Sequence, residues 1–227
     1  MIRDVVDGGA DGIVVHKGRA RVIDSEVLAD CSLLVHLSAS TPHGPDVNAK
    51  VLVGDVEDAI RLGADAVSVH VNIGSDTEAE QLADLGAIAA ACDRWGMPLL
   101  AMIYPRGPRV ADPYDPTLLS HVVNIAADLG VDIVKTVLAA PAERMAEVVA
   151  SSPIPIIVAG GGDGVSSLAD FAASALSVGC SGLAVGRRVF GSPDPRATVR
   201  ELAGILHGSI GPGSLIPTTS PRMAGVL

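Results

Sequence analysis

Short apolar runs rich in β-branched residues alternate along the chain with longer amphipathic segments. The runs lie at 12–16, 32–37, 66–71, 98–104, 132–138, 153–159 and 182–186. Because a strand covered by helices on both faces reads as a continuous apolar run, each predicts a buried strand of a parallel sheet. Helix-like segments lie between most runs, and in residues 76–96 Leu82, Leu85 and Ile88 fall on one stripe. The pattern therefore predicts strand, helix, strand along the whole chain.

Glycines mark the ends of the predicted helices. Gly9, Gly63, Gly130 and Gly179 each open a three-residue segment that directly precedes a strand. Glycine is the usual residue at a helix C-cap, because it adopts the left-handed conformation without strain. The chain itself begins on a predicted helix, residues 2–7.

The alternation leaves two architectures, a doubly wound open sheet and a closed barrel. Polar residues follow the carboxyl ends of many strands, and no GxGxxG pattern follows the first one, which favours a barrel. The seven apolar runs are one fewer than the eight strands of a full barrel. We therefore predict that residues 1–227 form a single α/β domain, a (β/α)8 TIM barrel that is N-terminally incomplete and lacks its first strand.

Composition narrows the function classes. The chain is 48% hydrophobic but only 2% aromatic, which excludes an aromatic-lined binding module. A net charge of −10 argues against a nucleic-acid partner or an anionic membrane, because phosphate neutralisation needs a basic face. No signal-peptide pattern and no run of about 18 apolar residues occurs, so we expect a cytoplasmic protein. Three widely spaced cysteines fit reduced thiols.

Lys135 is one of only three lysines and lies in the middle of the apolar run DIVKTVL. Burial in a strand disfavours the charged amine and lowers its pKa. A neutral amine attacks carbonyls, as Schiff-base lysines do. The alternative is a lysine whose head group reaches water or pairs with an acid.

Tyr104 ends the strand that precedes that of Lys135, and Arg106 follows that strand. A phenol beside a carbinolamine is suited to relay protons, although a rim tyrosine with a bonded hydroxyl is the alternative. Arg106 and Arg109 lie in a loop rich in proline and glycine. Arginines at a barrel mouth suit anionic substrates.

Glycine-rich segments follow the last two strands. Gly160 and Gly161 come after one, and Gly186 with Arg187 after the other. Barrels commonly bind phosphate at these two positions, through backbone N–H groups and a helix N-terminus. A turn that needs glycine explains the glycines equally well, but it does not require Arg187.

His16, His36 and His70 lie near the ends of three successive predicted strands and leave a metal alternative open. Three imidazoles at adjacent strand ends are a possible zinc site, which would make the chain a metal-dependent hydrolase or lyase. No fourth ligand is evident, and no G-x-S-x-G, HExxH or P-loop pattern occurs.

Five segments together resemble the archaeal-type class I aldolase family, which is DhnA/DeoC-like, over nearly the whole chain. They are HLSASTPHGPDVNAKVLVGDVEDAIRLGADAVSVHVNIGSDTEAEQLADLG (36–86), PLLAMIYPRGP (98–108), DIVKTVL (132–138), IVAGGG (157–162) and AVGRRVFGSPDP (184–195). SVHVNIGS and MIYPRG favour the amino-dideoxyheptulosonate synthase branch over the fructose-bisphosphate branch.

The resemblance implies roles that agree with those reached from placement. Lys135 would form the Schiff base and Tyr104 would donate the proton. The phosphorylated sugar would be bound by Tyr104, Pro105, Arg106, Gly160, Gly161, Gly186 and Arg187. The implied reaction transfers a unit derived from a ketose phosphate to L-aspartate 4-semialdehyde, with no metal or organic cofactor, in a homo-oligomer and on an alternative route to aromatic amino acids.

Two departures from the family pattern leave other readings open. The family's Asp-His-Gly motif, whose aspartate is the proton acceptor, has no counterpart here, and Gly162-Asp163 stands where the family often has Pro-Lys. The alternatives are a fructose-bisphosphate aldolase, a dihydroxyacetone-phosphate-dependent aldolase of secondary metabolism, and a non-catalytic truncated barrel.

Overall fold

The computed structural model describes residues 1–160 and 167–208. Within them lie the strands β1 (Gly12–Val15), β2 (Ser32–His36), β3 (Ser38–Ala39), β4 (Val51–Leu52), β5 (Ala66–Ile73), β6 (Leu99–Pro105), β7 (Ile133–Thr136), β8 (Ile156–Ala159) and β9 (Gly182–Ala184). The helices are α1 (Ile2–Asp7), α2 (Lys17–Ala20), α3 (Val56–Arg61), α4 (Glu78–Trp95), α5 (Pro116–Asp128), α6 (Met145–Ser151), α7 (Leu168–Ser177), α8 (Arg187–Phe190) and α9 (Pro195–Gly208). Two 3-10 turns, Ser25–Leu28 and Ala142–Arg144, complete these elements.

Every apolar run of the sequence forms a strand of one parallel sheet. The strands lie in the order β1-β2-β5-β6-β7-β8-β9, which follows the chain, as in the wall of a barrel. The predicted helices at 2–7 and 76–96 are present as α1 and α4. The glycines predicted as C-caps all have positive φ, for example 73° at Gly63 and 85° at Gly130.

The sheet curls strongly, so that its inner face packs against itself. One cluster brings together inward-facing side chains from six strands, namely Leu34, Ala66, Leu100, Ile133, Ile157 and Ala184. Side chains of β2 and β9 share this cluster although the two strands lie near opposite edges of the sheet. The larger core lies on the outer face, between the sheet and the helices.

The curled sheet leaves a seam between β1 and β9, which are its edge strands among the described residues. A cavity of about 840 Å³ opens there, lined by apolar residues of α1, β1 and α9 and reaching Lys135. The architecture is thus a TIM-type α/β barrel wall of seven described strands. Among residues 1–160 and 167–208, no helix has both the length and the apolar composition needed to span a membrane.

The hairpin β3–β4 is a feature that the sequence pattern did not predict. Its two strands have two residues each and pair in an antiparallel manner, Ser38 with Leu52 and Ala39 with Val51. Alternation over two residues carries no periodic signal. The hairpin places the loop that contains Asn48 beside the carboxyl end of β5, where Asn72 bonds to it.

Candidate active site

Three neighbouring strands place one row of side chains inside the barrel. His70 on β5 pairs in register with Met102 on β6, and Met102 pairs with Lys135 on β7. Alternate residues of a strand point to the same face, and Leu100 and Ile133 of the interior cluster lie two residues before Met102 and Lys135. The Lys135 and His70 side chains therefore face the barrel interior.

Lys135 lies in a setting that favours the neutral amine. Its Nζ lies 4.0 Å from the Sδ of Met102, and no carboxylate forms an ion pair with it among residues 1–160 and 167–208. Burial lowers the pKa of this amine from its usual value to about 8. About a tenth of the amine is then neutral at pH 7. The structure therefore favours the nucleophilic interpretation over a lysine paired with an acid.

Tyr104 faces the same interior one row further along β6, in register with Asn72. Its side chain is only 7% exposed. The ring packs against that of His70, with 5.1 Å between centroids, and the guanidinium carbon of Arg106 lies 5.3 Å from its centroid. Burial raises the pKa of the phenol well above its usual value. The phenol of Tyr104 therefore stays protonated at neutral pH.

His70 and Asn72 belong to a buried amide network. His70 Nε2 lies 2.9 Å from Asn72 Oδ1, and Asn72 Nδ2 donates to the backbone oxygen of Asn48 at 2.7 Å. Gln81 Nε2 donates to that same oxygen at 3.0 Å, while its Oε1 accepts from the Asn72 backbone N–H at 2.8 Å. The sequence analysis did not assign Asn72 and Gln81 to the site, because the Asn48 oxygen that joins them is 24 and 33 residues away in sequence.

The three histidines do not gather around a common point. His16 Nδ1 bonds to the backbone oxygen of His36, whereas His36 Nδ1 lies 2.8 Å from the Ser68 hydroxyl. Within the described residues, no group of three histidine, cysteine or acidic side chains is placed to hold a metal ion. Burial lowers the pKa of His36 to about 3 and that of His70 to about 4. Both imidazoles are neutral at pH 7.

A second cavity, of about 770 Å³, collects most of the residues that the sequence analysis selected. Its lining includes His70, Tyr104, Arg106, Lys135, Gly160, Gly186, Arg187 and Arg188. Pro105 ends β6 next to Tyr104 and is buried. Gly161 lies outside the described residues. The Schiff-base candidate and the anion-binding candidates thus share one cavity, and no carboxylate is among its described lining residues.

Packing requires glycine at position 160. A Cβ at this position would lie 2.4 Å from a methyl group of Val185, because the ends of β8 and β9 approach closely. Its N–H donates to the backbone oxygen of Ala184 at 2.8 Å, so this N–H is already used. Any phosphate bound here therefore depends on other donors.

Arg188 is a residue that the sequence analysis did not assign to the site. It is partly buried in α8, and its Nη1 has no hydrogen-bond partner among the described residues although it is shielded from solvent. An unpaired guanidinium nitrogen beside a cavity is suited to bind an anion. The only signal in the sequence was its position next to Arg187.

Arg109 links two loops at the barrel mouth. Its guanidinium donates to Asp76 at 3.0 Å and to the backbone oxygen of Ser75 at 2.5 Å. Gly107 lets the two loops meet, because a Cβ there would lie 2.0 Å from the backbone oxygen of Gly74. The loop after β6, which carries Arg106, is thereby fixed to the loop after β5.

Comparison with known proteins agrees with this geometry. The model of the DeoC/LacD family aldolases matches residues 1–192. The chain is 50% identical over 211 residues to 2-amino-4,5-dihydroxy-6-oxo-7-(phosphonooxy)heptanoate synthase of Streptomyces griseus, covering 92% of the chain and 77% of that protein. It is 46% identical over 205 residues to 2-amino-3,7-dideoxy-D-threo-hept-6-ulosonate synthase 1 of Archaeoglobus fulgidus, covering 88% and 75%.

Among solved structures, the fold is similar to that of an archaeal fructose-1,6-bisphosphate aldolase. That structure has its catalytic lysine covalently bound to the carbinolamine intermediate of the substrate. The TM-score is 0.83 at 26% sequence identity, over 91% of this chain and 82% of the other.

Proposed function

Because the chain belongs to the DeoC/LacD family of aldolases, we propose that it forms its Schiff base on Lys135 and joins a donor derived from a ketose phosphate to L-aspartate 4-semialdehyde. The observation that carries this proposal is the amine of Lys135 on β7, which pairs with no carboxylate among residues 1–160 and 167–208 and faces a cavity that also holds Tyr104 and the arginines.

The chemistry of the first step follows from the protonation states. The neutral Lys135 amine adds to the ketone carbon and forms a carbinolamine. Tyr104, a buried phenol that stays protonated, gives its proton to the carbinolamine hydroxyl, which leaves as water. The product is an iminium ion, and the phenolate regains its proton from solvent. The iminium then accepts the electron pair of the carbon–carbon bond that breaks.

Arginines supply the charge for a phosphorylated donor. Arg187 and Gly186 begin α8 on one side of the cavity, and Arg106 lies on the other. Arg188 adds a guanidinium nitrogen that has no protein partner in the described part of the chain. A bidentate arginine contact is well matched to phosphate. We assign the phosphate group of the donor to the side of the cavity formed by Arg187 and Arg188.

The acceptor follows from the chemistry of the two relatives' products. Both are seven-carbon 2-amino acids with a ketone at carbon 6, and an aldol disconnection between carbons 4 and 5 leaves L-aspartate 4-semialdehyde in each case. The remaining three carbons form the donor unit. In one product this unit keeps a phosphate, and in the other it ends in a methyl group.

A second candidate donor is dihydroxyacetone phosphate. The phosphate on carbon 7 of the product of the Streptomyces griseus relative corresponds to this donor, and that relative is 50% identical to the chain. The two candidates share the acceptor, the imine and the arginines, so they differ in the donor alone.

Borohydride reduction tests the proposal directly. The purified protein is incubated with dihydroxyacetone phosphate, fructose 1,6-bisphosphate or a deoxy-ketohexose phosphate, reduced, digested and analysed by mass spectrometry. We expect a reduced adduct on the peptide that contains Lys135, no adduct in Lys135→Met, and an unchanged adduct in Lys17→Met, whose amine pairs with Asp58. Absence of an adduct in the wild type, or an adduct on Lys50, overturns the proposal.

The donor is identified by the product. Each donor is incubated with L-aspartate 4-semialdehyde, and the product mass is measured. A seven-carbon phosphorylated product from dihydroxyacetone phosphate supports the second candidate. An unphosphorylated 3,7-dideoxy product, formed only from a deoxy-ketohexose phosphate whose phosphate stays on the released fragment, supports the first.

A further inference from the structure

The loop between β3 and β4 is anchored to the carboxyl end of β5 and carries Lys50. The backbone oxygen of Asn48, two residues before Lys50, accepts hydrogen bonds from Asn72 at 2.7 Å and from Gln81 at 3.0 Å. Asn72 is fully buried and Gln81 is only 1% exposed, so water does not compete for these bonds. The loop is therefore fixed, and it holds Lys50 beside the mouth of the barrel.

Neutral groups hold the amine of Lys50 in place. Its Nζ donates to the Ser40 hydroxyl at 2.5 Å and to the backbone oxygen of Val47 at 3.0 Å, with a longer contact of 3.4 Å to a third oxygen. Burial and Arg106 lower the pKa of this amine, and Asp46 opposes them with a smaller effect. Within residues 1–160 and 167–208, no carboxylate forms an ion pair with Lys50.

Arg106 approaches the same place from the loop after β6. Its backbone N–H donates to the Ile73 oxygen at 2.8 Å, and its guanidinium carbon lies 5.3 Å from the centroid of the Tyr104 ring. The guanidinium lines the cavity that contains Lys135 and forms no ion pair in the described part of the chain. Two cations that two separate loops bring together attract an anion.

The ring of His70 shows that both cations lie beside the cavity wall. Lys50, Arg106 and Lys135 all disfavour protonation of this ring, and burial disfavours it most, which lowers the pKa of His70 to about 4. The ring packs on that of Tyr104, with 5.1 Å between centroids. His70 is neutral at pH 7 and adds no charge of its own. The positive field on this side of the cavity therefore comes from Lys50 and Arg106.

The length of the acceptor matches the distance from Lys135 to these cations. In the seven-carbon product, carbon 6 forms the imine and carbon 1 is the carboxylate, so five bonds, or about 6 Å in an extended chain, separate them. Tyr104 lies two residues beyond Met102, the register partner of Lys135, so its row is about 7 Å nearer the mouth. The Arg106 guanidinium packs on this ring. An extended acceptor therefore ends at the level of the two cations.

We propose that Arg106 and Lys50 bind the carboxylate of the acceptor aldehyde, on the side of the cavity opposite Arg187 and Arg188. This inference rests on the proposed function, because that function defines the acceptor. The arginine can offer a bidentate contact, and the lysine supplies a second positive charge from a fixed position. The site thereby selects aldehydes that carry an anionic group three carbons from the reacting carbonyl.

Three aldehydes test this selection in the wild type. L-aspartate 4-semialdehyde has the carboxylate and the amine, 4-oxobutanoate has the carboxylate alone, and butanal has the same four carbons with neither group. At saturating donor, we expect kcat/KM for 4-oxobutanoate to stay within about tenfold of that for L-aspartate 4-semialdehyde. The value for butanal should be lower than that for 4-oxobutanoate by about 10²-fold, since it lacks the charged hydrogen bonds.

Substitutions assign the effect to the two cations. In Lys50→Gln and in Arg106→Gln, we expect kcat/KM for the two carboxylate aldehydes to fall by about tenfold or more, while kcat/KM for butanal stays within threefold. Lys50→Arg keeps the charge and should retain most of the rate. The borohydride adduct of Lys50→Gln with dihydroxyacetone phosphate should match that of the wild type. Lys17→Gln, whose native amine pairs with Asp58, is the control and keeps all three values.

Each contrary result has a distinct meaning. Equal losses of Lys50→Gln on all three aldehydes show that Lys50 only supports the loop, and this overturns the proposal. A wild type that uses butanal as well as 4-oxobutanoate also overturns it. A raised KM of Lys50→Gln for dihydroxyacetone phosphate, with unchanged values for the aldehydes, assigns Lys50 to the donor and overturns its role here. Absence of the adduct in the wild type overturns the proposed function itself.

Discussion

The Met102 sulfur, 4.0 Å from the Lys135 amine, is the only polar contact made by that amine among the described residues. The two residues are register partners on β6 and β7. A thioether accepts hydrogen bonds weakly and carries no charge, so it leaves the ammonium form without stabilisation. Met102 thereby allows burial alone to set the pKa of Lys135.

The pH dependence of kcat/KM should follow this amine. Because the free enzyme needs neutral Lys135, kcat/KM should rise with unit slope up to about pH 8 and then level off. Tyr104 stays protonated over this range, since burial raises the pKa of its phenol. Initial rates at saturating acceptor between pH 5 and pH 10 measure the profile. A flat profile from pH 6 to pH 9 contradicts the assignment.

Replacing Met102 should move that profile. In Met102→Glu a carboxylate stands beside the ammonium and raises the pKa of Lys135 by about 1–3 units. We expect kcat/KM at pH 7 to fall at least about tenfold and to converge with the wild type at high pH. Met102→Leu preserves the apolar contact and should leave the profile in place. If kcat/KM of Met102→Glu rises over the same pH range as that of the wild type, then Met102 does not control the pKa of Lys135.

Lys135 should also lower stability in a pH-dependent way. The unfolded chain protonates this amine up to about pH 10.5, whereas the folded chain does so only up to about pH 8. Between these values the unfolded state binds more protons, so the free energy of unfolding rises with pH.

Lys135→Met removes this dependence. The variant should therefore be more stable than the wild type below pH 8, by about 3 kcal/mol at most, and the difference should vanish as pH rises to about 10.5. Urea unfolding at pH 7 and pH 10 measures it. Lys17→Met, which removes a partly exposed ion pair, should show no such convergence.

Gly107 should be essential for the loop that carries Arg106. In Gly107→Ala the new methyl group meets the Gly74 backbone, which cannot move aside as a side chain would. We expect a loss of about 1–3 kcal/mol in unfolding free energy together with a higher KM for the phosphorylated donor. Gly86→Ala is the matched control, because nothing lies near its Cβ position in α4, and it should stabilise the chain by about 0.5–1 kcal/mol. Thermal unfolding of both variants measures these changes in stability.

The strands were predictable because burial on both faces leaves continuous apolar runs, and the helix ends were predictable because glycines such as Gly63 adopt a positive φ. The Asn72–Asn48 bond was not, since its partners are 24 residues apart and meet only through the hairpin β3–β4. The ion pair between Arg109 and Asp76 was not predictable either, because a sequence does not show that the two residues lie beside each other. The roles of Lys135 and the phosphate-binding residues, and the homo-oligomer, stay predictions.

A substitution of Arg188 is the most direct test of where the phosphate group of the donor binds. Its Nη1 is buried without a described partner, so a bound phosphate would remove a cost that the free protein bears. Arg188→Gln should therefore raise the KM for a phosphorylated donor by about tenfold or more, with a smaller effect on kcat. The KM for an unphosphorylated donor such as dihydroxyacetone should change little. Arg200→Gln, an exposed position on α9, is the charge-matched control and should leave both constants unchanged. Equal effects of Arg188→Gln on both donors would show that this arginine supports the fold of α8 and does not bind phosphate.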